Sequence, residues 1–145
     1  MKIAIAADHG GYKLKQKLIK FLDTKGFTIA DMGTHSEERC DYPLYASKVA
    51  KAVKDGEFDR GILICKSGIG MSMSANKITG IRAALCWDIK GAKTSRQHND
   101  ANVLCLGADK TPFKLAKKIV ETWLATDFEG GRHLRRVKQM NKISC

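Results

Sequence analysis

The run Ile62-Leu63-Ile64-Cys65 contains no polar residue and is far too short to be a helix burying one stripe. An apolar run without alternation predicts a short strand covered on both faces, the habit of a parallel sheet. Ser67-Gly68-Ile69-Gly70 comes next, after Lys66. Small residues there let the backbone turn sharply and bring N–H groups close to a ligand. Met71 to Lys77 then reads as a helix. The thiol of Cys65 is thereby placed at the carboxyl end of a core strand, facing a small-residue loop and a helix start. Helix starts bind anions and favour thiolate over thiol. Taken alone, the stretch also fits a buried, inert cysteine followed by an ordinary strand-to-helix turn.

The same strand-then-helix unit recurs along the chain. Lys2 to Ala7 reads as a strand ending in Asp8-His9-Gly10-Gly11. Leu14, Leu18, Phe21 and Leu22 then fall on one helical face, with Lys13, Lys15, Lys17 and Lys20 mostly off it. Gly26 is a stop signal. Phe27 to Gly33 reads as a second strand, and a polar loop leads to Asp41-Tyr42-Pro43. Ala46, Val49, Ala50 and Val53 mark a second amphipathic helix. Ile81 to Cys86 reads as a fourth strand, Asp88 to Gln97 as a polar helix ending in His98-Asn99-Asp100, and Asn102 to Gly107 as a fifth strand. Thr111-Pro112 predicts a helix start with Thr111 as the cap, followed by a stripe of Leu115, Ala116, Ile119, Val120, Trp123 and Leu124. Glu129-Gly130-Gly131-Arg132-His133 breaks that helix. A last basic helix, Leu134 to Lys142, carries Val137 and Met140.

This alternation predicts one α/β domain over residues 1–145, an open five-stranded parallel sheet with helices on both faces. Ligands of such sheets bind outside the carboxyl ends of the strands, near a switch in strand order. Three polar clusters are expected to meet there: Asp8-His9, Cys65 to Gly70, and the His98 cluster. The formal charge of +11 attracts phosphate groups of any kind without choosing among nucleic acid, membrane and metabolite. The five cysteines lack Cys-x-x-Cys spacing, and Cys65, Cys86 and Cys105 lie in or at the end of apolar runs. That is the pattern of reduced thiols, not of disulfides or zinc. With no signal peptide and no apolar run near the ~18 residues that cross a membrane, a cytoplasmic protein is expected. Met73 stands where a dinucleotide fingerprint needs glycine, and no P-loop is present. A hydrolase would need Cys65 in contact with His9 or His98.

Each polar cluster has a structural reading: Asp8 as a cap, His98 and Asn99 as turn stabilisers, Arg132, Arg135 and Arg136 as a solvated helix face. Together, a thiolate base, an aspartate, histidines and arginines suit a phosphorylated sugar. Asp8-His9-Gly10-Gly11, Asp41-Tyr42-Pro43, Cys65-x-Ser67-Gly68-Ile69-Gly70, Ala75-Asn76-Lys77, Gly80-Ile81-Arg82-Ala83, Ser95 to Asp100 and Glu129 to His133 resemble the type B ribose-5-phosphate isomerases. That group also includes the galactose-6-phosphate isomerase subunits. The match runs nearly end to end and in order.

The resemblance implies a Rossmann-like three-layer α/β/α sandwich and a homodimer, sometimes a tetramer, with sites at the subunit interface. It implies interconversion of ribose 5-phosphate and ribulose 5-phosphate in the pentose phosphate pathway, without metal or organic cofactor. Its partners would be a sugar phosphate and a second copy of the chain, not nucleic acid or membrane. Galactose- or allose-6-phosphate isomerisation is the alternative. By motif match Cys65 moves the proton between C-1 and C-2, while Ser67 and the amides of Gly68, Ile69 and Gly70 hold the enediolate oxygen. His98, with Asp8 near it, opens the furanose ring. His9, Arg132 and Arg136 hold the phosphate, and Tyr42 and Asn99 line the sugar. Substrate should then shield Cys65, and not Cys145, from alkylation. Two positions depart from the family pattern: Lys66, where many members have Gly, and Asp109, near an expected phosphate arginine that Lys110 could replace.

Overall fold

The computed structural model describes residues 1–143, so Cys145 lies outside the described residues. Five strands, β1 (Lys2–Ala7), β2 (Thr28–Asp31), β3 (Arg60–Cys65), β4 (Ala83–Leu85) and β5 (Val103–Gly107), form one sheet. The helices are α1 (Tyr12–Thr24), α2 (Tyr42–Lys54), α3 (Ile69–Ala75), α4 (Ile89–Asn99), α5 (Phe113–Ala125) and α6 (Arg132–Asn141). The strand order is β2-β1-β3-β5-β4, and every pairing is parallel. This is the five-stranded α/β/α sandwich expected from the sequence.

The central strands are apolar throughout because both their faces are covered. Ile62 and Ile64 of β3 join Ile3, Ile5, Leu104 and Leu106 under Leu14, Leu18 and Leu22 of α1 and Ile119, Val120 and Trp123 of α5. Leu63 and Cys65 point the other way, with Ala4, Ala6, Val103 and Cys105, against α2 and α3. Small residues on that side of β1 let α2 lie close. From β1 the chain passes outward to β2 and then crosses to β3 on the opposite side of β1. The order therefore reverses between β1 and β3, and their carboxyl ends flank a crevice suited to a ligand. Asp8 and Cys65 stand on its two sides, joined by a hydrogen bond from Asp8 N–H to the Ile64 carbonyl at 3.1 Å.

Several boundaries differ from the sequence reading, for identifiable reasons. Helix α3 begins at Ile69 rather than Met71, because Gly68 takes up the sharp turn. Thr111 does not cap α5: Pro112 occupies the cap position, and the buried Thr111 hydroxyl has no partner among the described residues. Helix α6 starts at Arg132, directly after Gly131 at φ +54°, and buries His133 and Val137 four apart. The largest departure is Lys15, expected off the buried stripe of α1 and in fact 0% exposed. Its ammonium donates to the Asp31 carboxylate and to the Thr34 carbonyl at 2.8 Å. An ammonium can be desolvated only with such partners, and this one ties α1 to the end of β2.

Burial pushes the Asp31 carboxyl up, but the Lys15 hydrogen bond and the Gly33 amide outweigh it and hold it below its usual value of 3.8. A carboxyl lowered on folding adds stability above its unfolded value and loses it as pH falls through the folded one. Asp31→Asn leaves the buried ammonium without its counter-charge and should cost about 3 kcal/mol at pH 7. Urea titrations from neutral pH down to about pH 3 should also show a shallower acid loss in the variant. Identical acid limbs in the two proteins would contradict the pairing.

Candidate active site

The crevice between β1 and β3 opens into a pocket of about 430 Å³ lined by Asp8, His9, Tyr42, Cys65, Lys66, Ser67, Ile69, Gly70 and Met73. Cys65 ends β3 and is 4% exposed. Its Sγ accepts a hydrogen bond from the Gly68 amide at 3.1 Å. Gly68 has φ +76°, and a Cβ there would stand 2.5 Å from Leu85 Cδ1 and 2.9 Å from the Leu106 carbonyl carbon. Only glycine satisfies both the left-handed backbone and the close packing. Ile69 N–H is engaged by Ser67 Oγ at 3.2 Å. The Gly70 amide, in the first turn of α3, has no helical acceptor of its own: the Lys66 carbonyl four residues back instead accepts from Asp109 N–H at 3.0 Å.

Asp8 is buried, and its Oδ1 accepts from the amides of Gly10 (2.9 Å) and Gly11 (3.1 Å). The aspartate thus shapes the β1–α1 turn while lining the pocket. His9 Nδ1 lies 3.3 Å from the Cys40 backbone N–H, which donates to it in one tautomer. Tyr42 rests its ring against Gly70, where a Cβ would meet it. Burial pushes the Cys86 and Cys105 thiols up, and neither residue lines the pocket.

The remaining expected site residues lie elsewhere. Helix α4 runs back against the strands, so its last residues, His98 and Asn99, arrive at the amino end of β5. The Asn99 carbonyl accepts from Arg82 Nε at 3.1 Å, just before β4. Cys65 pairs in register with Gly107, at the far end of β5 from there. Four strand steps alone come to about 13 Å. Within one chain, therefore, His98 is not beside Asp8, and the His98 cluster is not at the carboxyl edge. A segment that precedes a strand enters at its amino end, and closeness in sequence to β5 does not change that.

The amino-edge group has its own organisation. His98 and His133 stack with ring centroids 4.2 Å apart and planes 9° from parallel. Their Nε2 atoms lie 3.9 Å and 3.6 Å from Glu129 Oε2. Burial, with His98 and Arg132 beside it, holds the His133 imidazole below its usual range. These three are the only group among the described residues with metal-type donors this close together. Parallel rings aim their lone pairs side by side, whereas a shared ion needs them to converge; the arrangement is a stacked pair on one carboxylate. In the sequence Glu129 and His133 read as a helix break and as part of a family motif, with no role assigned to either; their four-residue spacing was the available signal. Arg132, Arg135 and Arg136 are all exposed on α6.

The sequence profile of the Ribose/Galactose Isomerase family matches residues 3–140. The chain belongs to that family. Among its isomerases, the ribose-5-phosphate isomerase B of Escherichia coli is 50% identical over 142 residues, 98% of this chain and 95% of that one. The ribose-5-phosphate isomerase B structure from Clostridium thermocellum superposes with a TM-score of 0.97 at 51% identity, covering 98% of this chain and 96% of that one. The Mycoplasma genitalium ribose-5-phosphate isomerase B structure, with bound ribulose-5-phosphate, gives 0.93 at 43% identity, covering 97% and 94%.

Gly68 separates two costs that alanine imposes. Gly80 has φ +87° and nothing within 4 Å of where a Cβ would stand, so Gly80→Ala should lose about 1 kcal/mol from the backbone alone. Gly68→Ala adds the clash and should lose at least about 2 kcal/mol more. Equal losses in chemical denaturation would mean the turn below Cys65 is slack.

Proposed function

We propose that the chain interconverts D-ribose 5-phosphate and D-ribulose 5-phosphate by moving a proton between C-1 and C-2 through an enediolate. The observation that carries this reading is the Cys65 sulfur. It sits at the carboxyl end of a core strand, in a pocket walled by Asp8, His9 and Tyr42, beside the start of α3. A proton next to a carbonyl is weakly acidic. Its removal needs a placed base and donors aimed at the oxygen that gains charge. Cys65 is the base, and Ser67 with the Gly70 amide faces the oxygen, since the Gly68 and Ile69 amides donate to Cys65 Sγ and Ser67 Oγ. Holding the phosphate at the other end of the sugar keeps C-1 and C-2 in reacting geometry.

Among the described residues, the pocket of one chain contains no arginine and no ring-opening histidine beyond His9. His98, Asn99, Arg132 and Arg136 come from the amino edge of a second copy. His98 acts as the acid–base that opens the furanose ring; Arg132 and Arg136, one helical turn apart, hold the phosphate by their planar forks. Exposed apolar side chains favour such pairing: Met73 is 64% and Ile69 50% exposed at the pocket itself, and Leu44, on α2, is 65% exposed. A homodimer covers them. No helix among the described residues is long and apolar enough to cross a membrane. The four described cysteines are unpaired, in keeping with a cytoplasmic setting.

The test is a coupled assay of purified protein with ribose 5-phosphate, beside galactose 6-phosphate and allose 6-phosphate. Ribose 5-phosphate should have the highest kcat/KM; a higher value for either hexose phosphate would move the substrate to six carbons. Cys65→Ala should lower kcat by about 10²–10⁴-fold while the fold persists. A variant keeping a tenth of wild-type kcat would exclude Cys65 as the base.

A further inference from the structure

Lys66 follows the proposed base directly, yet nothing in the reaction above uses it. It lines the pocket, and among the described residues it is the one permanently cationic side chain that does so. Its backbone is fixed by the segment that follows β5, since the Cys65 carbonyl accepts from Ala108 N–H at 2.9 Å and its own from Asp109 N–H at 3.0 Å. The side chain lies across the β1–α1 turn. A Cβ built on Gly10 would stand 2.4 Å from Lys66 Cγ and 3.3 Å from Cε. The missing side chain at Gly10 is what gives the lysine stem its track. Among the described residues no carboxylate lies within 4.0 Å of the ammonium and no hydrogen bond holds it. Asp8, the nearest acid along that track, spends its Oδ1 on the Gly10 and Gly11 amides.

Lys66 is exposed at the pocket mouth, and with no ion pair among the described residues its ammonium is available to a ligand that brings negative charge. We propose that Lys66 is a substrate-contacting residue that binds the phosphate dianion of the sugar phosphate from the His9 side of the pocket. The inference rests on the isomerase reading of this pocket and adds to it a cation from the same chain as Cys65. Its course over Gly10, the residue after His9, distinguishes it from a group acting on the sulfur. An ammonium contacts a phosphate as a compact point charge, so Lys66→Arg should retain most of the effect and Lys66→Met should lose it.

Calorimetry with inorganic phosphate and steady-state kinetics with ribose 5-phosphate, both at fixed ionic strength, test this. Lys66→Met should weaken phosphate binding and raise KM by about tenfold each, with kcat changed by less than about twofold. Lys66→Arg should stay within about threefold of wild type. Gly10→Ala, which drives the lysine off its track, should weaken phosphate binding in the wild type but not in a Lys66→Gly background. Unchanged phosphate affinity and KM in Lys66→Met would make Lys66 a solvated surface lysine and overturn the proposal. A fall in kcat at constant KM, with a shifted pH–rate profile, would place its action on the Cys65 sulfur and overturn it equally. Calorimetry needs no turnover. Phosphate binding that depends on Lys66 in a protein unable to isomerise ribose 5-phosphate would therefore sustain this contact while refuting the isomerase reading.

Discussion

Because every strand of the sheet is parallel, every strand-to-helix turn opens on one edge and every helix-to-strand turn on the other. This polarity governs the rest of the molecule. It gathers Asp8, His9, Cys65 and the start of α3 on the carboxyl edge, where β1 and β3 part. It sends His98 and Asn99, at the end of α4, to the amino edge, where Glu129 and, at the start of α6, His133 meet His98. One chain therefore carries two polar groups, at opposite ends of the strands, that no side-chain rotation can join. The proposed isomerisation needs both, and under that proposal a second copy is part of the catalytic unit.

Much of this was legible in the sequence because it follows from burial. The apolar run ending at Cys65 could only be an inner strand, and the leucines of α1 fall on their buried face as spaced. The Gly68 turn was readable too, since glycine there answers a left-handed backbone in a crowded corner. What failed were readings that treated nearness in sequence as nearness in space. The His98 cluster borders a strand, as the Cys65 loop does, but at the end from which the chain enters. Lys15 was hidden for another reason: its partners, Asp31 and the Thr34 carbonyl, lie on a different element, and α1 alone gives no sign of them. The Thr111-Pro112 pair matched a capping pattern, yet Pro112 takes the cap position itself.

Charge follows the same division. The net +11 is spread over many solvated lysines, and few cations are placed where a small anion would sit. Arg132 and Arg136 stand exposed on α6 beside the His98–His133 stack, while Lys66 stands over the β1–α1 turn on the opposite edge. Pairing two copies would bring these cations around a single phosphate, with the thiol at the other end of a short sugar. Lys15, paired with Asp31, serves the fold instead, holding α1 against β2 behind the Asp8 turn.

The division of the site between two chains is tested most directly by mixing two inactive variants. Cys65→Ala removes one half-site and His98→Asn the other, each in an otherwise intact protein. After unfolding, mixing in equal amounts and refolding, about half the dimers would be mixed, and each would hold one site with both Cys65 and His98 intact. Ribose 5-phosphate turnover should recover to about a quarter of that of wild type refolded in the same way. If both residues acted within a single chain, every site in the mixture would still lack one of them, and the activity would stay at the level of the separate variants.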